Sequence, residues 1–371
     1  MPLRVLTTEN KITDGADARR WIEQNVPRGC TKIHDRPLFW LDIIEPDPAA
    51  IDWLAGYFHF HPLTIEDLRS PNERGKIEIY EGYVFIIAHG VFIEGSAMLS
   101  DPHHAPDQHA GHAGTPAPRR VLQAATRATP PASLICDINS YELHAYLSRN
   151  YLITVRDAGL KLVDKIWNEI DNHQDDEDPH PLQHGPDYLL YRILDDTADT
   201  YFDALEHTAD QIDYLEDTVI DRPDRELLNE VFIVKRNLVT IRRQATPVRE
   251  GLNVLSNPGA AFVRSENQIY MRDVHNLMVS VYELADTQRD STGGVLDAYL
   301  SSVNNNLSTV MKRLTIISTI FLPISFIVGF GGMNFTGFIP YDDPLMFWGL
   351  MASLVVVPVL MLLWFYRSRW I

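Results

Sequence analysis

The sequence predicts an α/β N-terminal domain, then a helical hairpin, then a very long stalk helix that continues into a first transmembrane helix, and finally a second transmembrane helix. Two observations support this fold class. Residues 314–341 and 344–366 carry no charged side chain over 28 and 23 positions, which is long enough to cross a bilayer. The preceding residues change from β-branched and aromatic segments to helical spacing, so a mixed domain should come before a helical region.

Strand-like segments define the α/β domain, which we assign to residues 1–165. Segments 37–44, 76–93 and 133–156 are rich in β-branched and aromatic residues and are interpreted as strands. Residues 48–67 lie between the first two and have helical spacing of their apolar positions. Alternation of this kind is typical of an α/β domain.

The next section, residues 166–264, is predicted to form a hairpin of one acidic and one basic helix. Between Asp187 and Asp221 there are eleven acidic residues and the single base Arg192. The helix that follows carries bases that include Lys235 and Arg242. Opposite charges on consecutive helices favour antiparallel pairing.

Two histidine-rich stretches interrupt this plan. Residues 100–120 form a His/Pro-rich insert, with its histidines within 103–112, and residues 171–187 mix acids with histidines within 173–184. Both are predicted to be mobile loops because they lack large apolar side chains to bury. Imidazole suits zinc, nickel, cobalt or copper better than magnesium. The two stretches could therefore sense such a metal, or they could be loops without a function.

The membrane part divides into a stalk helix, two spans, a connecting loop and a tail. The stalk helix is assigned to residues 265–313 and the first transmembrane helix to 314–333. The external loop covers 334–344, the second transmembrane helix 345–366 and the basic cytoplasmic tail 367–371. Basic residues lie outside the spans at one end, and the acidic pair Asp342 and Asp343 lies between them. By the positive-inside rule both termini should be cytoplasmic.

Charge and composition exclude several classes of function. The formal net charge is −18, and the four charges beyond Arg313 cancel, so the whole excess belongs to residues 1–313. Nucleic-acid binders carry a basic surface, and no nucleic-acid partner is therefore expected. Two cysteines and the absence of a phosphate-binding GxxxxGK[ST] loop give no sign of a disulfide framework, a nucleotide site or another organic cofactor.

The first span has a stripe of residues that could line a pore. Two spans cannot enclose an aqueous path alone, so the chain is either anchored by a simple hairpin or assembles so that first helices surround a pore. Hydroxyl rings can bond a hydrated ion and bulky rings can close a pore, but such residues also occur at ordinary helix contacts. The stripe consists of Ser308, Met311, Leu314 or Thr315, Ser318, Leu322, Ser325 and Gly329.

The end of this helix carries a recognisable signature. Gly332-Met333-Asn334 follows the first of two C-terminal spans, and the preceding segment 310–323 also matches. In these features the chain resembles the CorA-type divalent-cation channels, the two-span family of magnesium and cobalt transporters. The resemblance implies a funnel-shaped homopentamer in the lipid bilayer of the bacterial inner membrane, with influx of Mg²⁺ and also of Co²⁺ and Ni²⁺, and no enzymatic activity.

The resemblance also implies roles for individual residues. Gly332, Met333 and Asn334 correspond to the selectivity filter, and the stripe corresponds to the gate and pore lining. Closure by intracellular Mg²⁺ bound between cytoplasmic domains points to Asp273, Glu94 and Asp195 as the regulatory metal site. The family's outer loop differs here, where Asp342 and Asp343 would form a displaced external acidic ring.

Two other functions stay open. One is zinc transport by a relative of the same superfamily, with or without proton coupling, which shares the tripeptide and the topology. The other is an acidic metal sensor without a pore, in which the two spans only anchor the chain.

Overall fold

The computed structural model describes residues 3–8, 11–29, 37–70, 74–93, 135–157, 160–172, 181–333, 344–368 and 370. The chain separates into two compact units. The first contains Met1–Asp217 and Asp224–Val295, and the second contains Thr218–Pro223 and Leu296–Ile371.

A seven-stranded sheet forms the centre of the first unit. Its spatial order is β2-β1-β3-β7-β6-β5-β4, and all neighbouring strands are antiparallel except the parallel pair β3 and β7. The strands are β1 Leu3–Thr7, β2 Lys11–Ile12, β3 Phe39–Ile44, β4 Lys76–Tyr80, β5 Tyr83–Ile93, β6 Ile138–Leu147 and β7 Tyr151–Arg156.

One face of the sheet is covered by three short helices, α1 Gly15–Asn25, α2 Pro48–Phe58 and α3 Pro62–Arg69. Alternate residues of β3, β5 and β7 point to this face, as strand geometry requires, and join one apolar core. Phe58 and Phe60 lie near the centre of that core, with ring centroids 5.4 Å apart.

The other face is covered by α4 Lys161–Asn172, α5 Pro186–Asp221 and α6 Arg225–Leu255. Trp167 of α4 packs on Trp40 with ring centroids 5.0 Å apart. The Tyr201 hydroxyl donates to the His89 carbonyl at 2.5 Å, and the Asn237 side chain accepts from the Ile138 amide at 3.1 Å. Since both faces are covered, the central strands are buried on both sides.

A buried ion network joins the sheet to α4. The Arg156 guanidinium lies 3.1 Å from an Asp42 carboxylate oxygen and 2.6 Å from an Asp164 oxygen, and both Arg156 and Asp42 have fully buried side chains. Arg4 reaches the same two carboxylates at 2.9 and 2.7 Å. Removal of Asp42 or of Arg156 would leave the other, fully buried charge with only its second ion pair, so this network holds β3, β7 and α4 together.

Two long helices follow, α7 Gln268–Gly331 with 64 residues and α8 Pro344–Arg367 with 24 residues. Both contain segments long and apolar enough to cross a membrane. The predicted fold class is confirmed, including the continuous stalk and first transmembrane helix. The domain boundaries given above stay predictions.

One local prediction is wrong. The stretch 171–187 was expected to be a mobile loop, but Pro181–His184 forms a 3₁₀ turn and Pro186 begins α5. Leu182 and Asp187 are buried, and Asp187 accepts from the Arg264 amide at 2.8 Å and the Asn267 amide group at 2.9 Å. These contacts with a distant segment order the stretch despite its polar composition. Residues 100–120 and 173–180 lie outside the described residues.

Close packing of α6 on the sheet gives a first testable prediction. A Cβ added at Gly251 would lie 2.4 Å from the Ile77 Cβ, whereas one added at Gly294 of α7 would meet nothing within 4 Å. We expect Gly251→Ala to lower the free energy of unfolding by about 1–3 kcal/mol through overpacking. Gly294→Ala is the matched control and should be neutral or stabilising by up to ~1 kcal/mol, because alanine is the better helix former. Thermal unfolding of the full chain in detergent would contradict this if both variants shifted alike.

Candidate functional site

The membrane segment of α7 has two opposite faces. The predicted pore positions Ser308, Met311, Leu314, Ser318, Leu322, Ser325 and Gly329 are all exposed within the chain. The half-buried positions are Ile316, Thr319, Ile320, Pro323, Ile324, Ile327 and Gly331. At about 100° per residue the centres of these two sets are about 180° apart.

The second membrane helix approaches the half-buried face at its far end. A Cβ added at Gly331 would lie 3.1 Å from a methyl carbon of Leu350 on α8. The contact lies within the second unit. Small residues permit such close approach between membrane helices. The opposite face, which carries the predicted pore stripe, is thus the side of α7 that the described chain leaves uncovered.

Backbone bonding distinguishes two neighbouring candidates for the stripe. The Thr315 hydroxyl donates to the Met311 carbonyl at 2.8 Å, so it is used within its own helix. Leu314 is 57% exposed and lies on the stripe. Both positions are exposed on the side of α7 that carries the stripe, and the choice between them stays a prediction.

The helix ends at the signature tripeptide. The Gly332 amide donates to the Val328 carbonyl at 2.9 Å, and the Met333 amide donates to the Phe330 carbonyl at 3.3 Å. Both bonds keep the first two residues of the tripeptide attached to the last turn of α7. Asn334, Asp342 and Asp343 lie outside the described residues.

Two of the three predicted regulatory acids lie close enough to interact. Asp195 of α5 is half-buried and Asp273 of α7 is exposed. The pKa of Asp195 is raised to about 6, chiefly by burial and in addition by the neighbouring carboxylates Asp199, Asp196 and Asp273, while Arg192 acts in the opposite direction. Glu94 lies outside the described residues. The structure therefore brings together Asp195 and Asp273, which are far apart in sequence.

Further acids near Asp195 were missed by sequence reasoning. Burial also raises the pKa of Asp196 and of Asp199, although Lys165 lowers both. Lys165 lies 3.5 Å from Asp196, so that carboxylate has a partner. The spacing of Asp195 and Asp199 by one helical turn was the available signal, since such residues share a face. It identifies Asp199 as the acid to consider with Asp195 and Asp273.

The described residues of one chain do not assemble a complete metal site. Among the described residues, no three His, Cys, Asp or Glu side chains converge in a way that could hold a metal ion. Magnesium usually keeps several waters and takes only one or two carboxylates. The pair Asp195 and Asp273 could therefore contribute to binding a hydrated ion, but it needs water or a further chain to complete the coordination.

Comparison with known proteins identifies the family. The sequence matches the family described as "CorA-like Mg2+ transporter protein" over residues 36–102 and 130–367. The chain belongs to the CorA family. It is thus an integral membrane transporter of divalent cations with two C-terminal apolar helices, and it is not an enzyme.

Individual proteins that are similar to this chain support its assignment to the CorA family. It is 32% identical over 322 residues to the "Cobalt/magnesium transport protein CorA" of Thermotoga maritima, covering 85% of this chain and 78% of the relative. The solved CorA magnesium transporter of Methanocaldococcus jannaschii has the same fold, with a TM-score of 0.72 at 20% identity, covering 100% of this chain and 99% of that one. A "Zinc transport protein ZntB" of Pectobacterium atrosepticum is 23% identical over 173 residues, covering 45% of this chain and 53% of the relative.

The raised pKa of Asp195 predicts a pH-dependent stability in this CorA-family protein. Because the folded-state pKa of about 6 exceeds the ordinary aspartate pKa of 3.8, ionisation of Asp195 destabilises the folded state. That cost is absent below the unfolded pKa, grows as the pH rises between the two values and is complete above about 6. Asp195→Asn should therefore raise the unfolding temperature at pH 7.5 and change it little at pH 4.

The expected size is modest because Asp195 is only half-buried and solvent screens the repulsion. We expect a rise of about 2–4 °C, which corresponds to ~1 kcal/mol in a protein of this size. The measurement is thermal unfolding of the full chain in detergent at both pH values without divalent cations. An equal shift at both pH values would mean that the substitution acts through packing and not through the charge.

Proposed function

We propose that this chain forms a homopentameric channel that conducts Mg²⁺, with Co²⁺ and Ni²⁺ as further permeant ions, into the cell. The observation that carries the proposal is the exposed, uncharged face of α7 that leads to Gly332-Met333-Asn334. Two helices of one chain cannot enclose water, so several copies must bring these faces together around one axis. The transport of cobalt and magnesium named for the Thermotoga maritima relative supports the choice of ion.

The electrochemical gradient is sufficient to drive entry. A membrane potential of 100 mV contributes about 2.3 kcal/mol per elementary charge, and so about 4.6 kcal/mol for a divalent cation. The sequence also lacks a phosphate-binding loop for nucleotide hydrolysis. Passive conduction through a gated pore is therefore the simplest mechanism for this chain.

Selection is assigned to the Gly332-Met333-Asn334 loop. Magnesium dehydrates reluctantly, so neutral oxygens that bond its water shell serve better than carboxylates that would strip and hold it. Asn334 supplies such an oxygen, and the glycines allow close approach of backbone carbonyls. Asp342 and Asp343, repeated around the pore entrance, would raise the local concentration of cations.

The rest of the stripe provides the conduction path and its gate. Rings of bulky apolar side chains can close a narrow pore by excluding water, and hydroxyl rings can bond a hydrated ion. We assign gating to the apolar rings and ion contact to the small and hydroxyl-bearing rings. The apolar positions are Met311, Leu314 and Leu322, and the others are Ser308, Ser318, Ser325 and Gly329.

Regulation is assigned to the acids of the first unit. We infer that intracellular Mg²⁺ binds between cytoplasmic domains through Asp273, Asp195 and Glu94 and holds the channel closed. The electrostatic interaction of Asp195 with Asp273 supports this, since their mutual repulsion would be relieved by a bound cation. Loss of the ion would restore the repulsion and loosen the closed arrangement.

Orientation follows from the distribution of charge. Lys312, Arg313, Arg367 and Arg369 border the spans at one end, and the acidic pair lies in the connection between them. The positive-inside rule then places both termini in the cytoplasm, and the family resemblance supports the bacterial inner membrane.

Zinc transport is the second candidate. The similarity to a zinc transport protein over 173 residues favours it, as do the histidine-rich stretches, since imidazole binds zinc well. The deciding experiment reconstitutes the chain into liposomes and measures Mg²⁺ and Zn²⁺ uptake with and without a proton gradient. Mg²⁺ uptake that is independent of protons supports the proposal, whereas Zn²⁺ uptake that needs a proton gradient would replace it.

A further inference from the structure

The end of α8 folds back and places an aromatic ring beside a cation of α7. The Ser368 amide donates to the Trp364 carbonyl at 2.9 Å, and the Trp370 amide donates to the Phe365 carbonyl at 3.0 Å. The rings of Trp370 and Phe365 have centroids 5.8 Å apart. The Lys312 ammonium lies 5.9 Å from the centroid of the Trp370 ring. The tail of α8 and the cytoplasmic section of α7 therefore meet at one place within the second unit.

Positive charge is concentrated at this end of the two helices. Lys312 and Arg313 are consecutive on α7, and Arg367 is the last residue of α8, with Arg313 and Arg367 exposed. Along the chain after Asp297 the acidic residues are Asp342 and Asp343, which belong to the sequence between α7 and α8. This end can thus attract an anion at the membrane surface.

The aromatic residues here have the exposure expected at a bilayer interface. Trp364 is 60% exposed, Tyr366 is 74% exposed and Trp370 is 40% exposed. Tryptophan and tyrosine are enriched where the apolar bilayer core meets the headgroups. Their position in the last turn and tail of α8 places the level of the headgroups beside Lys312 and Arg367.

An apolar groove begins directly below that level. It has a volume of about 340 Å³ and is lined by Val359, Leu362, Leu363 and Tyr366. These positions are spaced by three or four residues and form one stripe along α8. The groove ends at Tyr366, which precedes Arg367 in the chain.

We propose that this end of the helices binds one anionic phospholipid. Its phosphate lies among Lys312, Arg313 and Arg367, and one acyl chain lies in the groove lined by Leu363 and its neighbours. The charge of the cluster selects an anionic headgroup, and the groove selects a lipid over a free phosphate. The site is independent of the ion path and of the ion that the channel conducts.

The test measures lipid binding to the full chain purified in detergent. Titration with phosphatidylglycerol should raise the unfolding temperature and leave a bound lipid in native mass spectrometry. Phosphatidylcholine with the same acyl chains and inorganic phosphate should each do neither. An equal effect of phosphatidylcholine would overturn the role of the cluster, and an equal effect of inorganic phosphate would overturn the lipid as the ligand.

Matched variants separate the two halves of the site. Lys312→Gln and Arg367→Gln should each weaken phosphatidylglycerol binding about fivefold. Arg367→Lys should restore it, and Arg20→Gln, at a 66% exposed arginine of α1, should not change it. Wild-type binding by both glutamine variants would overturn the proposal.

The groove is tested by two leucines of nearly equal exposure. Leu363 is 60% exposed and lines the groove, whereas Leu360 is 59% exposed and does not. Leu363→Trp should fill the groove and weaken phosphatidylglycerol binding at least about fivefold, while Leu360→Trp should leave it within about twofold. Equal behaviour of the two variants would remove the acyl-chain half of the proposal.

Discussion

Replacing Asn334 with alanine is expected to reduce Mg²⁺ uptake into proteoliposomes at least about tenfold, with fold and assembly unchanged. The amide oxygen is the side-chain acceptor of the proposed filter, and a hydrogen bond to a charged group is worth about 1.5–3 kcal/mol. The variant loses this stabilisation of hydrated Mg²⁺ in the filter. Since each 1.4 kcal/mol corresponds to about a tenfold change, the rate of Mg²⁺ permeation should fall at least about tenfold. The measurement is uptake of Mg²⁺ under an imposed membrane potential.

The control for this variant is an exposed asparagine of the first unit. Asn229 of α6 is exposed, so Asn229→Ala removes the same amide without approaching the spans. Circular dichroism and size-exclusion chromatography should be identical for both variants and the wild type. If Asn334→Ala transported Mg²⁺ like Asn229→Ala, the filter assignment would fail. If the wild type itself transported no cation, the sensor without a pore would be the better description.

Replacing Asp273 with alanine is expected to make the channel insensitive to intracellular Mg²⁺. The carboxylate lies near Asp195, whose pKa is raised mainly by burial and further by nearby carboxylates, Asp273 among them. A bound cation relieves the repulsion between carboxylates. Removal of Asp273 therefore removes one proposed ligand and also reduces the repulsion that favours cation binding. In inside-out membrane patches, the concentration of Mg²⁺ that halves the current should rise about tenfold or more.

A second exposed acid on the same helix provides the control. Asp290 is 73% exposed and is paired with Arg289 at 3.0 Å. Asp290→Ala removes one negative charge and should leave the inhibiting concentration within about twofold of the wild type. Unchanged inhibition in Asp273→Ala would show that this carboxylate has no regulatory role, while a similar change in both variants would assign the effect to overall charge.

The large elements of the fold could be predicted because their signals are long or strongly patterned. The uncharged runs led to α7 and α8, and the β-branched runs around Phe85 and Ile153 led to β5 and β7. The first strand, Leu3–Thr7, and α1 were missed. A short strand gives little pattern, but α1 had a usable signal, because Asp14 caps it by accepting from the amides of Ala16 and Asp17 at 2.9 and 3.1 Å.

The candidate site was accessible from the sequence only in part. The predicted pore stripe follows from the periodicity of a single helix, so it could be proposed without knowledge of tertiary contacts. The proximity of Asp195 and Asp273 depends on how α5 packs beside α7, which no spacing along the chain encodes. Only the family resemblance selected these two acids from the many in the first unit, and it did not select Asp199.

The unbroken course of α7 has a mechanical consequence. Asp273 and Met311 lie on this one continuous α-helix, 38 positions apart in the sequence. The adjacent pair Gly293 and Gly294 lies between them, and a Cβ added at either position would meet nothing within 4 Å. Glycine inside a helix costs about 0.5–1 kcal/mol relative to alanine, so this pair is a local weak point of the helix between the two residues.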